Sequence, residues 1–94
     1  MVELMNETLP APHEHVVATE FEGGEGVLVD LNTKRYYKLN ETAMLVWRGL
    51  EKGDSFERML DEMTCIYDVS REHAARSIEK ILLELETSQL VRRG

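Results

Sequence analysis

The chain has 94 residues, enough for one domain with a modest core and little room for a deep catalytic cleft. It is 43% hydrophobic and 31% charged, as ordinary folded domains are, and no apolar run approaches the roughly 18 residues of a membrane span. The net charge of −7 is uneven, with 6 acids and no Lys or Arg in residues 1–26, so a polyanion such as DNA meets long-range repulsion.

Residues 1–14 lack periodicity and carry Pro10 and Pro12, which reads as a flexible acidic tail dispensable for folding. The stretch has neither a basic region nor an apolar one, so it is not a signal peptide. Residues 15–94 form the domain. His15–Phe21 is rich in Val and Thr and reads as a strand. Glu22-Gly-Gly-Glu-Gly26 is a turn, followed by the β-branched run Gly26–Leu31. Asn32-Thr33 makes the next turn. Lys34–Leu39 is a third strand, with Arg35, Tyr37 and Leu39 on one face and Lys34, Tyr36 and Lys38 on the other.

The period changes at Asn40, an N-cap, after which Ala43, Val46, Trp47 and Leu50 share one helical face. Gly53 ends that helix. Asp54-Ser-Phe-Glu57 has capping-box spacing and opens a second helix with Phe56, Leu60, Met63 and Tyr67 on its apolar face. Ser70 caps a third helix whose core residues are Ala74, Ile78, Ile81, Leu82 and Leu85. Leu90-Val91 is a final short apolar patch. The expected fold is α+β and winged-helix-like: a three-stranded antiparallel meander followed by three helices.

Catalytic signals are absent. Gly23-Gly24-Glu25-Gly26 opens no helix and lacks the Gly-Lys-Ser/Thr ending of a phosphate loop. His13-Glu14-His15 has too few ligands for a metal site, so no metal or other cofactor is expected. Cys65, the single cysteine, reads as a buried, inert thiol. One feature departs from simple patterning. At about 100° per residue, Leu83 points away from the core face of the third helix, between Arg76 and Lys80. An apolar group among bases suits a shallow docking surface, although a lone exposed Leu is ordinary.

Val27-Leu28-Val29-Asp30-Leu31, Tyr36-Tyr37-Lys38-Leu39-Asn40-Glu41-Thr42-Ala43, Trp47 and Leu50 together resemble the coenzyme PQQ synthesis protein D family. Asp68-Val69, Ile81-Leu82, Leu85 and Leu90-Val91 continue the match, so the resemblance spans roughly residues 15–91. Two positions depart from it. The family often has Gly in the turn before the third strand, where this chain has Asn32-Thr33-Lys34, and Gly before the final Leu-Val, where it has Gln89. A left-handed non-Gly residue costs roughly 1 kcal/mol, so the last turn is expected to close differently.

The single cysteine and the lack of a signal or membrane segment fit a cytoplasmic protein. The resemblance implies a non-catalytic module that binds the leader of a ribosomally made precursor peptide. Such a module delivers the precursor to a modifying enzyme, commonly a radical S-adenosylmethionine enzyme. The leader would add as a strand to the third strand and pack on the third helix. The residue pattern agrees, since the third strand of a meander is an edge, guarded here by Lys34 and Lys38. The expected peptide site is Lys34, Arg35, Tyr36, Tyr37, Lys38, Leu39, Arg76, Lys80 and Leu83. Which tyrosine holds the sheet stays open, as does the helix flank that meets the peptide: Ser77 with Glu84 and Ala75 with Glu79 are alternatives to Leu83. A winged-helix DNA-binding regulator is the competing reading. Its recognition helix would begin Ser70-Arg-Glu-His-Ala-Ala-Arg76, poor in bases, on a chain of pI ≈ 4.9.

Overall fold

The computed structural model describes residues 9–92. Its elements run β1 (Ala11–Pro12), β2 (Val16–Glu20), β3 (Gly26–Asp30), β4 (Arg35–Leu39), α1 (Glu41–Lys52), α2 (Phe56–Ile66), α3 (Arg71–Thr87) and β5 (Val91–Arg92). The expected meander is present as an antiparallel sheet in the order β2-β3-β4, and the three helices follow it.

Local chemistry sets the helix ends. The Asn40 side chain accepts from the Ala43 N–H at 2.9 Å. Gly53 closes α1 at φ 78°, a conformation glycine adopts without steric cost. Ser70 accepts from the His73 N–H at 3.0 Å. The cap of α2 is Ser55, not Asp54: its hydroxyl accepts from Arg58 N–H at 3.2 Å. Asp54 belongs instead to the end of α1, where its own N–H donates to the Gly49 carbonyl at 2.8 Å.

Packing is centred on Trp47, which is fully buried and donates its indole N–H to Glu51 Oε2 at 3.0 Å. Leu28 from the sheet and Met59, Met63, Ile78 and Leu90 join it in the core. Gly26 lets β3 approach α1, because a Cβ there would lie 2.6 Å from the Thr19 carbonyl and 2.7 Å from Met44 Sδ. Cys65 is exposed, contrary to the sequence reading. It falls off the α2 stripe of Met59, Leu60 and Met63, which faces the core.

The tail reading also changes. Of residues 1–14, residues 1–8 lie outside the described residues, but residues 9–14 belong to the domain. Pro10 is buried and Leu9 packs on the core. Ala11–Pro12 pairs antiparallel with Val91–Arg92, and the His13 N–H donates to the Leu90 carbonyl at 3.1 Å. Pro12 fits here because the strand is two residues long and sits in a two-stranded ribbon, and Pro10 precedes it.

The two positions where glycine was expected are the two non-glycine residues with positive φ among those described, Lys34 at 64° and Gln89 at 59°. The last turn therefore holds a left-handed residue without glycine. Leu90 N–H donates to the Leu85 carbonyl and Gln89 N–H to the Glu86 carbonyl, each at 3.0 Å, the bonding of a Schellman motif. Burying Leu90 and Val91 supplies about 1.5–3 kcal/mol each, which together exceeds the roughly 1–2 kcal/mol of strain at Gln89.

Candidate functional site

The phase of hydrogen bonding in the sheet decides what β4 can offer. Leu31 N–H donates to His15 carbonyl at 2.9 Å and Phe21 N–H to Glu25 carbonyl at 2.7 Å. Odd-numbered residues of β3 thus bond to β2, and even-numbered ones bond to β4, because the direction alternates along an antiparallel strand. The bonded pairs across β3 and β4 are then Gly26 with Leu39, Leu28 with Tyr37, and Asp30 with Arg35. The N–H and C=O groups of Tyr36 and Lys38 are left pointing out from the open edge of the sheet.

Side chains sort by the same alternation. Tyr37 and Leu39 are half-buried against the core, whereas Tyr36 is 75% exposed on the outer face. Tyr37 is therefore the tyrosine that packs the sheet on the helices, and Tyr36 stands out into solvent. Between β4 and α3 lies a cleft of about 450 Å³ whose floor is Tyr37, Leu39, Ala43, Ile81, Leu85 and Leu90. It continues past Lys38 and Lys80 into a hollow of about 370 Å³ with Asn40, Thr42, Ser77 and Glu84. At its other end it shares Tyr37 and Ser88 with a wider basin of about 950 Å³ lined by His13, His15, Asp30, Arg35 and Gln89.

The basin is shaped by Asp30, a buried carboxylate. Its Oδ1 accepts from the Asn32 N–H at 2.9 Å and the Thr33 N–H at 3.1 Å, and His15 Nε2 lies 3.7 Å away. Burial pushes the Asp30 carboxyl up, but the Thr33 and Asn32 amides and His15 together outweigh it and hold the group below the usual carboxylate range. This brace fixes the β3–β4 loop and with it the start of β4. His13 and His15 stack with ring centroids 4.8 Å apart. Among the described residues, no three or more His, Cys, Asp or Glu side chains are grouped to hold a metal, and no helix is long and apolar enough to cross a membrane.

Of the residues expected at the site, Tyr37, Lys38, Leu39 and Lys80 line the cleft or its basic end, Tyr36 lines its rim, and Arg35 lines the basin. Lys34 is exposed in the loop before β4. Arg76 and Leu83 line none of these hollows, and Leu83 is 63% exposed. The stripe of α3 that meets β4 runs through Ser77, Ile81, Glu84 and Ser88, so of the flanks left open the Ser77–Glu84 one borders the cleft. Ala43, Leu85 and Leu90 were legible only as core residues. Their spacing carries no sign that one side of each borders a groove.

The model of the family described as coenzyme PQQ synthesis protein D (PqqD) matches residues 25–91. The search of curated proteins returned no match. Among solved structures, one described as TbiB1 in complex with the TbiA(beta) leader peptide is 27% identical, with a TM-score of 0.79 over 86% of this chain and 93% of that one. A second, described as lasso peptide synthetase B1 complexed with the leader peptide, is 26% identical, with a TM-score of 0.78 over 87% of this chain and 95% of that one.

Proposed function

The chain belongs to the coenzyme PQQ synthesis protein D family, and on that premise we propose that it is a non-catalytic module that binds a precursor peptide's leader. The leader adds as a strand to the free edge of β4, and the module presents the precursor to a peptide-modifying enzyme, of which a radical S-adenosylmethionine enzyme is one class. The observation that carries this reading is the outward pair of backbone groups at Tyr36 and Lys38 beside an apolar cleft. An extended peptide satisfies those groups while alternate side chains enter the cleft. Both similar solved structures are described as holding a leader peptide, which supports the same reading.

Electrostatics disfavours DNA. In the first turn of α3, Arg71 is already engaged by Asp61 at 2.9 Å and by Glu57. That leaves Arg76 as the one Arg or Lys outside an ion pair in the first two turns of the would-be recognition helix.

The test is titration calorimetry with a cognate precursor leader, together with amide exchange. Binding is expected to protect the Tyr36 and Lys38 amides and to leave Tyr37, already paired to Leu28, unchanged. Tyr36→Pro or Lys38→Pro should abolish binding in a folded protein, since proline removes the donor. Unchanged affinity in both folded variants would rule out the added strand.

A further inference from the structure

Among the described residues four cations are held in ion pairs, and Lys34, Arg35, Lys38, Arg76, Lys80 and Arg92 are not. Arg48 pairs with Glu20, Lys52 and Arg58 with Asp54, and Arg71 with Glu57 and Asp61. All four lie on α1, α2 or the first turn of α3. Lys38 and Lys80 form no ion pair among the described residues, although the chain has 18 acids to 11 Lys and Arg. They come from different elements and border the same hollow at one end of the cleft, where Glu84 is the one carboxylate in the lining. Lys38 leaves β4 on the outer face and Lys80 leaves α3, so together they bracket a strand lying between them.

Resting on the peptide-binding reading above, we propose that the groove selects an acidic, apolar peptide. One carboxylate sits between Lys38 and Lys80, and a neighbouring apolar side chain lies on the floor formed by Tyr37, Leu39 and Ile81. A lysine on each side balances one carboxylate of the ligand against Glu84, whereas a basic residue there would face two like charges. The net charge of −7 repels any acid at long range. The lysines therefore set where the acid sits and which register the strand takes, not how fast the peptide arrives. Affinity comes mainly from the apolar anchor.

The test uses a displayed library of random dodecapeptides selected on the wild-type protein and on the double variant Lys38→Glu with Lys80→Glu. Both lysines are exposed, so the double variant is expected to fold, and a thermal melt checks it. Wild-type selections should enrich Asp or Glu beside apolar residues at alternate positions, and the double variant should enrich Lys or Arg at the same place. The wild-type consensus peptide should bind the double variant about tenfold more weakly at low salt, with the gap shrinking at high salt. The same consensus on both proteins, or a wild-type consensus without an acid, overturns the acidic selection. If those peptides still lose binding to Tyr36→Pro, the added-strand reading survives that failure. Enriched peptides indifferent to Tyr36→Pro, or no enrichment at all, overturn both. Should Tyr36→Pro not fold, protection of the Tyr36 and Lys38 amides in the wild-type complex makes the same distinction.

Discussion

Replacing Gln89 by glycine should stabilise the protein. Gln89 holds φ 59° at the end of α3, where Leu90 N–H reaches back to Leu85 carbonyl and both leucines are buried. A side chain in this left-handed conformation costs about 1–2 kcal/mol. Glycine removes that strain but gains freedom in the unfolded chain, which takes back about 0.4–1 kcal/mol. The net expectation is a gain of about 0.5–1 kcal/mol, or roughly 3–6 °C in melting temperature for a domain of this size. Circular dichroism melts and urea titrations read it, with the midpoint rising and the urea slope unchanged. Ser88→Gly is the control. Ser88 has φ −82°, so glycine relieves nothing there and should destabilise. If Gln89→Gly is neutral or destabilising while Ser88→Gly behaves as expected, the strain argument fails. The turn matters beyond stability, because it sets Leu90 into the floor of the cleft and places Ser88 at its edge.

Other substitutions probe the remaining claims. A chain beginning at Glu14 should lose about 2–3 kcal/mol against one beginning at Leu9, because it gives up the packing of Leu9 and Pro10, the β1–β5 pairing and the His13 bond, as a urea midpoint will report. Asp30→Ala should lower the urea midpoint by freeing the Asn32 and Thr33 amides. The Asp30 carboxyl is depressed in the folded state, so its contribution is complete above the ordinary value of 3.8 and fades as pH falls through the lower folded value. Melts across that acid range should show the wild type losing its advantage over Asp30→Ala. Leu83→Ala should leave leader affinity unchanged in calorimetry, whereas Ile81→Ala should weaken it by about 1 kcal/mol or more, because Ile81 lies in the cleft and Leu83 does not.

Much of this protein is local and can be read from short stretches of the chain. Asn40, Gly53 and Ser70 mark helix ends through bonds that span three or four residues, so their positions can be read from neighbours alone. The apolar spacing of Ala74, Ile78 and Leu85 names a buried face without knowledge of what covers it, and alternation along Arg35–Leu39 separates Tyr36 from Tyr37. The order of elements and the open edge at β4 follow from these. Misreadings arose where local rules were degenerate. Asp54 and Ser55 both satisfy the chemistry of a cap, and only the use of Asp54 N–H in closing α1 decides between them.

Whatever depends on two distant segments meeting shows only in the folded chain. Ala11–Pro12 carries no strand pattern, because two residues have no period, and becomes a strand only when Val91–Arg92 arrives from the other end of the chain. Which tyrosine faces the core depends on the side of the sheet on which the helices pack. The flank of α3 that borders the cleft depends on how the helix is rotated against β4. A helical pattern identifies the centre of the buried stripe but treats its two shoulders alike, so Ser77 and Glu84 differ from Ala75 and Glu79 only once the sheet is in place.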